Sequence, residues 1–172
     1  MDFLELAKSR YSARKYKAGQ VEREKLDAIL QAGRIAPTAA NKQPNHFLVL
    51  NDSASMAKLA KGARPHGAPL AIITCADSDT VWVRPYDNKA VGDIDATIAT
   101  DHMMMEAQDI GLSSCWITHF DPAVIREEFN IPENLIPVNV LVIGYADEQP
   151  QSPQRHDSTR KDIKDMVHYG TF

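Results

Sequence analysis

The chain has 172 residues, of which 44% are apolar and 24% charged, and its formal net charge is −4. That length suits one domain, residues 1–172, with a full core, and the net charge and scattered Lys and Arg argue against the concentrated basic face of a nucleic-acid binder. The longest apolar runs, residues 68–76 and 137–146, are far below the roughly 18 residues of a membrane span. The first ten residues lack the apolar core of a signal peptide, so a cytoplasmic location with no membrane partner is expected.

In chain order, residues 2–9 read as a short helix with Phe3, Leu4 and Leu6 as apolar contacts. Arg10-Tyr11-Ser12-Ala13-Arg14 follows, then a turn at Gly19. Residues 22–36 form a second helix, because Leu26, Ile29, Leu30 and Gly33 fall on one stripe and Pro37 stops it. Residues 37–44 are a polar connector stiffened by Pro37 and Pro44, leading into a strand at 46–50. Ser53 is expected to cap a helix reaching Lys61. Residues 62–69 carry two glycines and two prolines and read as loop. The run 70–76 suits a strand buried on both faces.

Residues 77–92 read as an irregular surface excursion. From 92 to 111 runs the longest helical pattern, with Ala96, Ala99, Met103, Ala107 and Ile110 on one stripe and Ile98 and Met105 on a second, so the helix is covered on most sides. Gly111 ends it. A strand is expected at 113–118. Asp121-Pro122 is an N-cap followed by proline at the first helical position, starting a helix that runs to Phe129. Pro132 and Pro137 bracket a loop before a final strand at 138–145. The polar tail carries Arg155 and a helical piece near 159–167. Cys75 and Cys115 lie far apart in apolar segments, as buried thiols of a reducing compartment do.

Several chemistries lack their residues. The eight glycines never form GxGxxG, so a Rossmann turn is absent. Residues 62–67 have the glycine spacing of a P-loop, but Ala68 and Pro69 replace the Lys and Ser/Thr. Asp93 and Asp95 begin like a calcium loop, yet Ile98 and Met104 occupy the Gly and Glu positions. HExxH and GxSxG are missing.

Three clusters remain. Arg10 and Arg14 flank a serine hydroxyl, a pattern that binds phosphate by forked, charge-assisted hydrogen bonds, or equally a solvated basic face at a helix end. Thr38, Asn41 and Gln43 sit in the proline-braced connector, either as a plain helix-to-strand link or as a wall of donors and acceptors. Arg155 is either a surface arginine or a third phosphate ligand.

The stretches 8–16 (KSRYSARKY), 36–50 (APTAANKQPNHFLVL), 111–122 (GLSSCWITHFDP) and 130–155, taken in this order, resemble the nitroreductase family of FMN-dependent NAD(P)H oxidoreductases. The resemblance spans nearly the whole chain. It implies an α+β fold with a central, mostly antiparallel sheet flanked by helices, and an interlocked homodimer with FMN at the subunit interface. By position, Arg10, Ser12 and Arg155 match the phosphate side, with Tyr11 inside the same motif. Arg14 matches the cation near flavin N1 and the C2 carbonyl. Pro37, Thr38, Ala39, Asn41 and Gln43 match a loop supplied by the partner subunit. Trp116, Ile117, Thr118 and His119 match the segment beside the ring, where the backbone at Thr118 and His119 lies near N5. Lys61 and Arg64 match further flavin contacts of some members.

The implied activity passes hydride from NAD(P)H through FMN to a small acceptor, such as a nitroaromatic or quinone, in ping-pong order. The flavin does the chemistry, and no side chain is catalytic in itself. Within the same fold the alternatives are another flavin reaction (dehalogenation, dehydrogenation or flavin cleavage) or non-catalytic FMN binding. The chain has little room for the helical excursion that roofs the flavin in larger members, Thr118 replaces a Glu of some members, and Gln154 or Pro153 replaces a Lys.

Overall fold

The computed structural model describes residues 2–172. Its centre is a four-stranded sheet in the order β1-β2-β6-β5, formed by β1 (Asn45–Leu50), β2 (Leu70–Asp77), β5 (Ser113–Ile117) and β6 (Leu135–Gly144). Every pairing is antiparallel. The two central strands read as unbroken apolar runs because both their faces are covered. Ala71, Ile73, Val140 and Val142 point to one side, onto Leu59 and Ile125 of α3 (Ser53–Gly62) and α5 (Pro122–Phe129). Leu70, Ile72, Leu141 and Ile143 point to the other, onto α2 (Arg23–Ile35) and α4 (Gly92–Asp109).

The helices follow their periodic stripes. Leu26, Ile29 and Gly33 are the buried positions of α2, and Ala96, Ala99, Met103 and Ala107 lie in the buried stripe of α4. Gly111 takes φ +82° just past α4, and the Leu112 N–H donates back to the Ala107 carbonyl at 2.8 Å, closing the helix as a left-handed residue does. The Asp121 carboxylate accepts from the Ala123 and Val124 N–H groups. At α3 the cap is Asp52 rather than Ser53: its carboxylate accepts from Ala54 and Ser55 at 2.9 Å. The cap therefore lies one residue upstream, where the longer-charged acceptor reaches two donors instead of one.

Two expectations fail for identifiable reasons. Pro137 lies inside β6, not in a loop. Thr74 faces Asn139 while Cys75 faces Pro137, so Val138 bulges out, and β5 pairs with β6 only as far as Val140. A proline without an N–H is tolerated at such a bulge beyond the neighbour's reach. The tail is not one helix over 159–167. It forms a 3-10 turn at Pro153–Arg155, then α6 (His156–Thr159), then another 3-10 turn at Ile163–Asp165. Asp162 caps that last turn through the Lys164 N–H and so interrupts the helix. The excursion at 77–92 carries a small hairpin, β3 (Val83–Arg84) with β4 (Lys89–Ala90), turned by Asn88 at φ +55°.

Under α4 the sheet holds a buried polar contact: the Thr100 hydroxyl lies 3.1 Å from that of Thr74 and 2.9 Å from Asn139 Oδ1. No helix among the described residues is long and apolar enough to cross a membrane. Gly144 marks a close approach, because a Cβ there would sit 2.7 Å from Pro69 Cδ and 3.0 Å from Tyr16 Cδ1. Gly144→Ala should destabilise the fold by about 1–3 kcal/mol, the cost of overpacking a filled site. Urea denaturation checks this, and an unchanged midpoint contradicts the packing described.

Candidate functional site

α1 (Phe3–Ser9) ends at Arg10, whose extended backbone turns the chain alongside β5. Ser12 bridges Ser114 in parallel, and the Ala13 N–H donates to the Ser114 carbonyl at 3.0 Å. Alternation does the rest. Tyr11, Ala13 and Tyr16 are buried and hold the segment down, whereas Ser12 is half-buried and Arg14 exposed. The Arg14 backbone N–H donates to Glu148 Oε1 at 2.9 Å. Tyr11, expected among the cofactor contacts, is 5% exposed, so its ring belongs to the core.

Arg155 returns to the end of α1. Its Nη1 donates to the carbonyls of Lys8 at 3.1 Å and Ser152 at 3.0 Å, and its Nη2 to that of Arg10 at 2.5 Å. His156 Nε2 lies 3.3 Å from the same Lys8 carbonyl. The guanidinium thus closes the last turn of α1, where a cation also suits the helix dipole. Three of its five N–H groups are used, which leaves two for a ligand. Burial, then the neighbouring Arg155 charge, lowers the pKa of the Arg10 guanidinium. The Asp101 carboxylate offsets part of that effect, and the two like charges remain close together at the end of α1.

The proline-braced connector lies elsewhere. Its 3-10 turn, Ala39–Asn41, puts Ala40, Asn41 and Gln43 at φ near +50°, at a cost of about 1–2 kcal/mol for each non-glycine residue. The Thr38 side chain accepts from the Gln43 N–H at 3.0 Å, and the Thr38 carbonyl accepts from the Asn41 N–H at 3.0 Å. Ala39 N–H donates to Asp95 Oδ1 at 2.9 Å, and Asn45 Nδ2 to the Asp95 carbonyl at 3.2 Å. Pro37 is exposed.

This loop opens into β1, at one edge of the sheet, while the Arg10–Arg14 segment flanks β5 at the other. Four strand spacings separate them, roughly 19 Å. They also lie at different heights. Asn45 is level with Ala76, whereas Ser114 is level with Ile143 and so with Leu70, a further offset of roughly 20 Å along the strands. Within one chain the two clusters occupy opposite corners, too far apart for one small ligand to touch both.

The third segment shares the arginine edge. Ile117 is the last paired residue of β5 and is buried, Trp116 is half-buried, and Thr118 and His119 are exposed. The segment is anchored from outside: Phe120 bridges Ala63, and the Asp121 N–H donates to the Gly62 carbonyl at 2.7 Å. Lys61 is turned away, its ammonium 2.6 Å from Glu128, whereas Arg64 is exposed in the following turn. Burial, then the charges of Arg64 and Arg14, lowers the His66 pKa.

Asn45 and Glu148 were not singled out by sequence, and Asp95 only as part of a calcium-loop pattern that fails. Asp95 had a signal, an acidic side chain one turn before the buried Ala99. Glu148 had none, because its partner is a backbone N–H far away in the chain. No group of His, Cys, Asp or Glu among the described residues is arranged to hold a metal.

The family model described as "Nitroreductase family" matches residues 7–64 and 56–145. The crystal structure of a nitroreductase family protein from Clostridium difficile is 48% identical, with a TM-score of 0.98 and full coverage of both chains. An FMN-dependent nitroreductase from the same species is 32% identical over 97% of this chain and 98% of that one, with a TM-score of 0.79. A Methanothermobacter thermautotrophicus protein, provisionally named NADH dehydrogenase/NAD(P)H nitroreductase, is 34% identical over 93% of this chain and 85% of its own length. The antiparallel sheet flanked by helices is the fold that these solved structures share. The chain belongs to the nitroreductase family.

The two thiols take no part in such a site. Burial raises the pKa of Cys115 and raises that of Cys75 from 9.0 to about 11. The folded state keeps the Cys75 proton that the unfolded chain releases, so this contribution to stability is whole below pH 9 and is lost as pH climbs towards about 11. At pH 8 a thiol reagent should label neither cysteine in the native protein and both in denaturant, as read by absorbance. Rapid labelling of the native form would contradict the burial.

Proposed function

We propose that the protein is an FMN-dependent oxidoreductase that carries hydride from NAD(P)H to a small acceptor such as a nitroaromatic or quinone. The observation that carries this reading is the meeting of Arg10 and Arg155 at the end of α1, where Arg155 is held on the Lys8 and Arg10 carbonyls with two N–H groups left over. Their donor set fits a terminal phosphate: two guanidinium groups beside the Ser12 hydroxyl. Arg10 and Ser12 hold the phosphate, and Arg155 joins them with its two remaining N–H groups. Arg14, exposed on the same segment, sets a fixed positive charge at the pyrimidine edge, where it stabilises negative charge that builds there on reduction. Trp116 to His119 lie beside the ring, and the backbone at Thr118 and His119 offers a donor towards N5. Bound FMN supplies the hydride-accepting and hydride-donating centre, and the protein supplies position and electrostatics.

The loop with Pro37, Thr38, Ala39, Asn41 and Gln43 serves the flavin of a second copy, which resolves its place at the far corner of the sheet. A homodimer also covers apolar side chains that one chain leaves in solvent: Phe3, Leu4 and Ile35 around the α1–α2–α4 groove, and Ile163, Met166, Tyr169 and Phe172 in the tail. Residues 1–172 act as one domain, in the reducing cytoplasm that suits two free buried thiols.

The purified protein should be yellow and should bleach on anaerobic addition of NADH or NADPH, recovering when an acceptor is added. Arg10→Ala removes charged hydrogen bonds worth about 1.5–3 kcal/mol, so FMN should bind roughly ten- to a hundredfold more weakly. A colourless protein that takes up no added FMN would overturn the proposal.

A further inference from the structure

Asp95 is 2% exposed and its Oδ2 is buried without a partner. Burying a carboxylate in this way is costly, and no ion pair compensates it among the described residues. It lies in the first turns of α4, where the helix dipole favours a negative charge, yet it does not cap its own helix: the N-cap is Val91, with no side-chain cap bond. Its hydrogen bonds go to the loop. Oδ1 accepts from the Ala39 N–H at 2.9 Å, and its carbonyl accepts from Asn45 Nδ2 at 3.2 Å. One residue of α4 therefore grips the loop at both ends, and between those grips lie the three left-handed residues Ala40, Asn41 and Gln43. The loop's other bonds, such as Gln43 N–H to Thr38 Oγ1, are internal. They define its shape and leave its placement on the body to Asp95 and to the Asp77 N–H, which donates to the Pro44 carbonyl at 2.8 Å.

We infer that Asp95 is the positioning residue of the flavin-lining loop: its buried carboxylate, by holding the Ala39 N–H, sets how Ala40 to Gln43 are presented to the flavin of the neighbouring subunit. This rests on the function proposed above. Asp95 itself touches no flavin and acts only through the loop. A side chain needed for folding alone is replaceable by an apolar one of similar size, whereas a positioning acceptor is replaceable only by another acceptor.

The test uses the protein of residues 1–172 and three variants. Asp95→Ala removes the acceptor. Ala39→Pro removes the donor and leaves Asp95 intact; proline is compatible there because Thr38 is extended, at φ −131° and ψ 154°, and because Ala39 opens a helical turn. Asp95→Asn keeps a side-chain carbonyl for the Ala39 N–H. FMN and riboflavin dissociation constants are measured by flavin fluorescence, with visible circular dichroism of the bound flavin and far-ultraviolet dichroism of the chain. Asp95→Ala and Ala39→Pro should each weaken FMN binding about tenfold, a loss of about 1.4 kcal/mol, and change the visible dichroism while far-ultraviolet dichroism stays that of wild type. Riboflavin should lose as much as FMN, because the loop serves the ring and not the phosphate. Asp95→Asn should stay within about threefold of wild type, the small loss expected when the acceptor is kept. If Asp95→Ala does not fold, Ala39→Pro decides alone. Wild-type affinity and dichroism in Ala39→Pro, or an Asp95→Asn as damaged as Asp95→Ala, overturns the inference. A wild-type protein that binds no flavin overturns the functional reading and this inference together.

Discussion

The width of the sheet is the constraint on which the rest depends. Four strands, the central two buried on both faces, lie between the loop that opens into β1 and the arginine segment that flanks β5. No rearrangement of side chains brings the two clusters together, because β2 and β6 are the densest part of the core and their register fixes the corners. A site that uses both clusters is a site between two chains. On that reading the exposed apolar residues of α1, α2 and the tail are contact surface between subunits, and the left-handed turn at Ala40–Gln43 is held rigid for a neighbour's benefit.

Charge placement follows the same logic. Arg155 closes the end of α1 through the carbonyls of Lys8 and Arg10, so the phosphate side of the proposed site would be built from backbone capping as much as from side chains. Arg10 and Arg155 repel each other, and the gain on binding a dianion includes relief of that repulsion. Asp95 is the converse case, a buried carboxyl in the first turns of α4 whose oxygen accepts from a backbone N–H of the loop. Both ends of the site thus store electrostatic cost where a ligand or a loop answers it.

Much of this was legible in the residues. The stripes of α2 and α4, the apolar run of β2, the Asp121-Pro122 start and the Gly111 stop each express one local rule, and each element formed within a few residues of its expected bounds. The resemblance singled out Arg10, Ser12, Arg14 and Thr118 by position, and their common place along one edge of the sheet came only with the strand order, which periodicity could not reveal. The failures are non-local. Pro137 reads as a breaker because nothing nearby shows that β5 stops short of it. The tail reads as one helix because the cap at Asp162 competes only weakly in sequence. The inward turn of the Tyr11 ring was likewise hidden, since the bridge from Ser12 to Ser114 decides which side of that segment is core. The grip of Asp95 on Ala39 spans 56 positions and leaves no local trace.

The most direct test of the composite site is a mixed dimer. One subunit carries Arg10→Ala and the other Asn41→Ala, the two being co-expressed with different tags, and bound FMN is counted by absorbance. If each site takes its arginines from one chain and its loop from the other, both lesions fall in the same site. The mixed dimer should then hold one FMN at wild-type affinity and one weakly or not at all. Two equally weakened sites would mean that arginines and loop serve the flavin from a single chain, and would contradict the account.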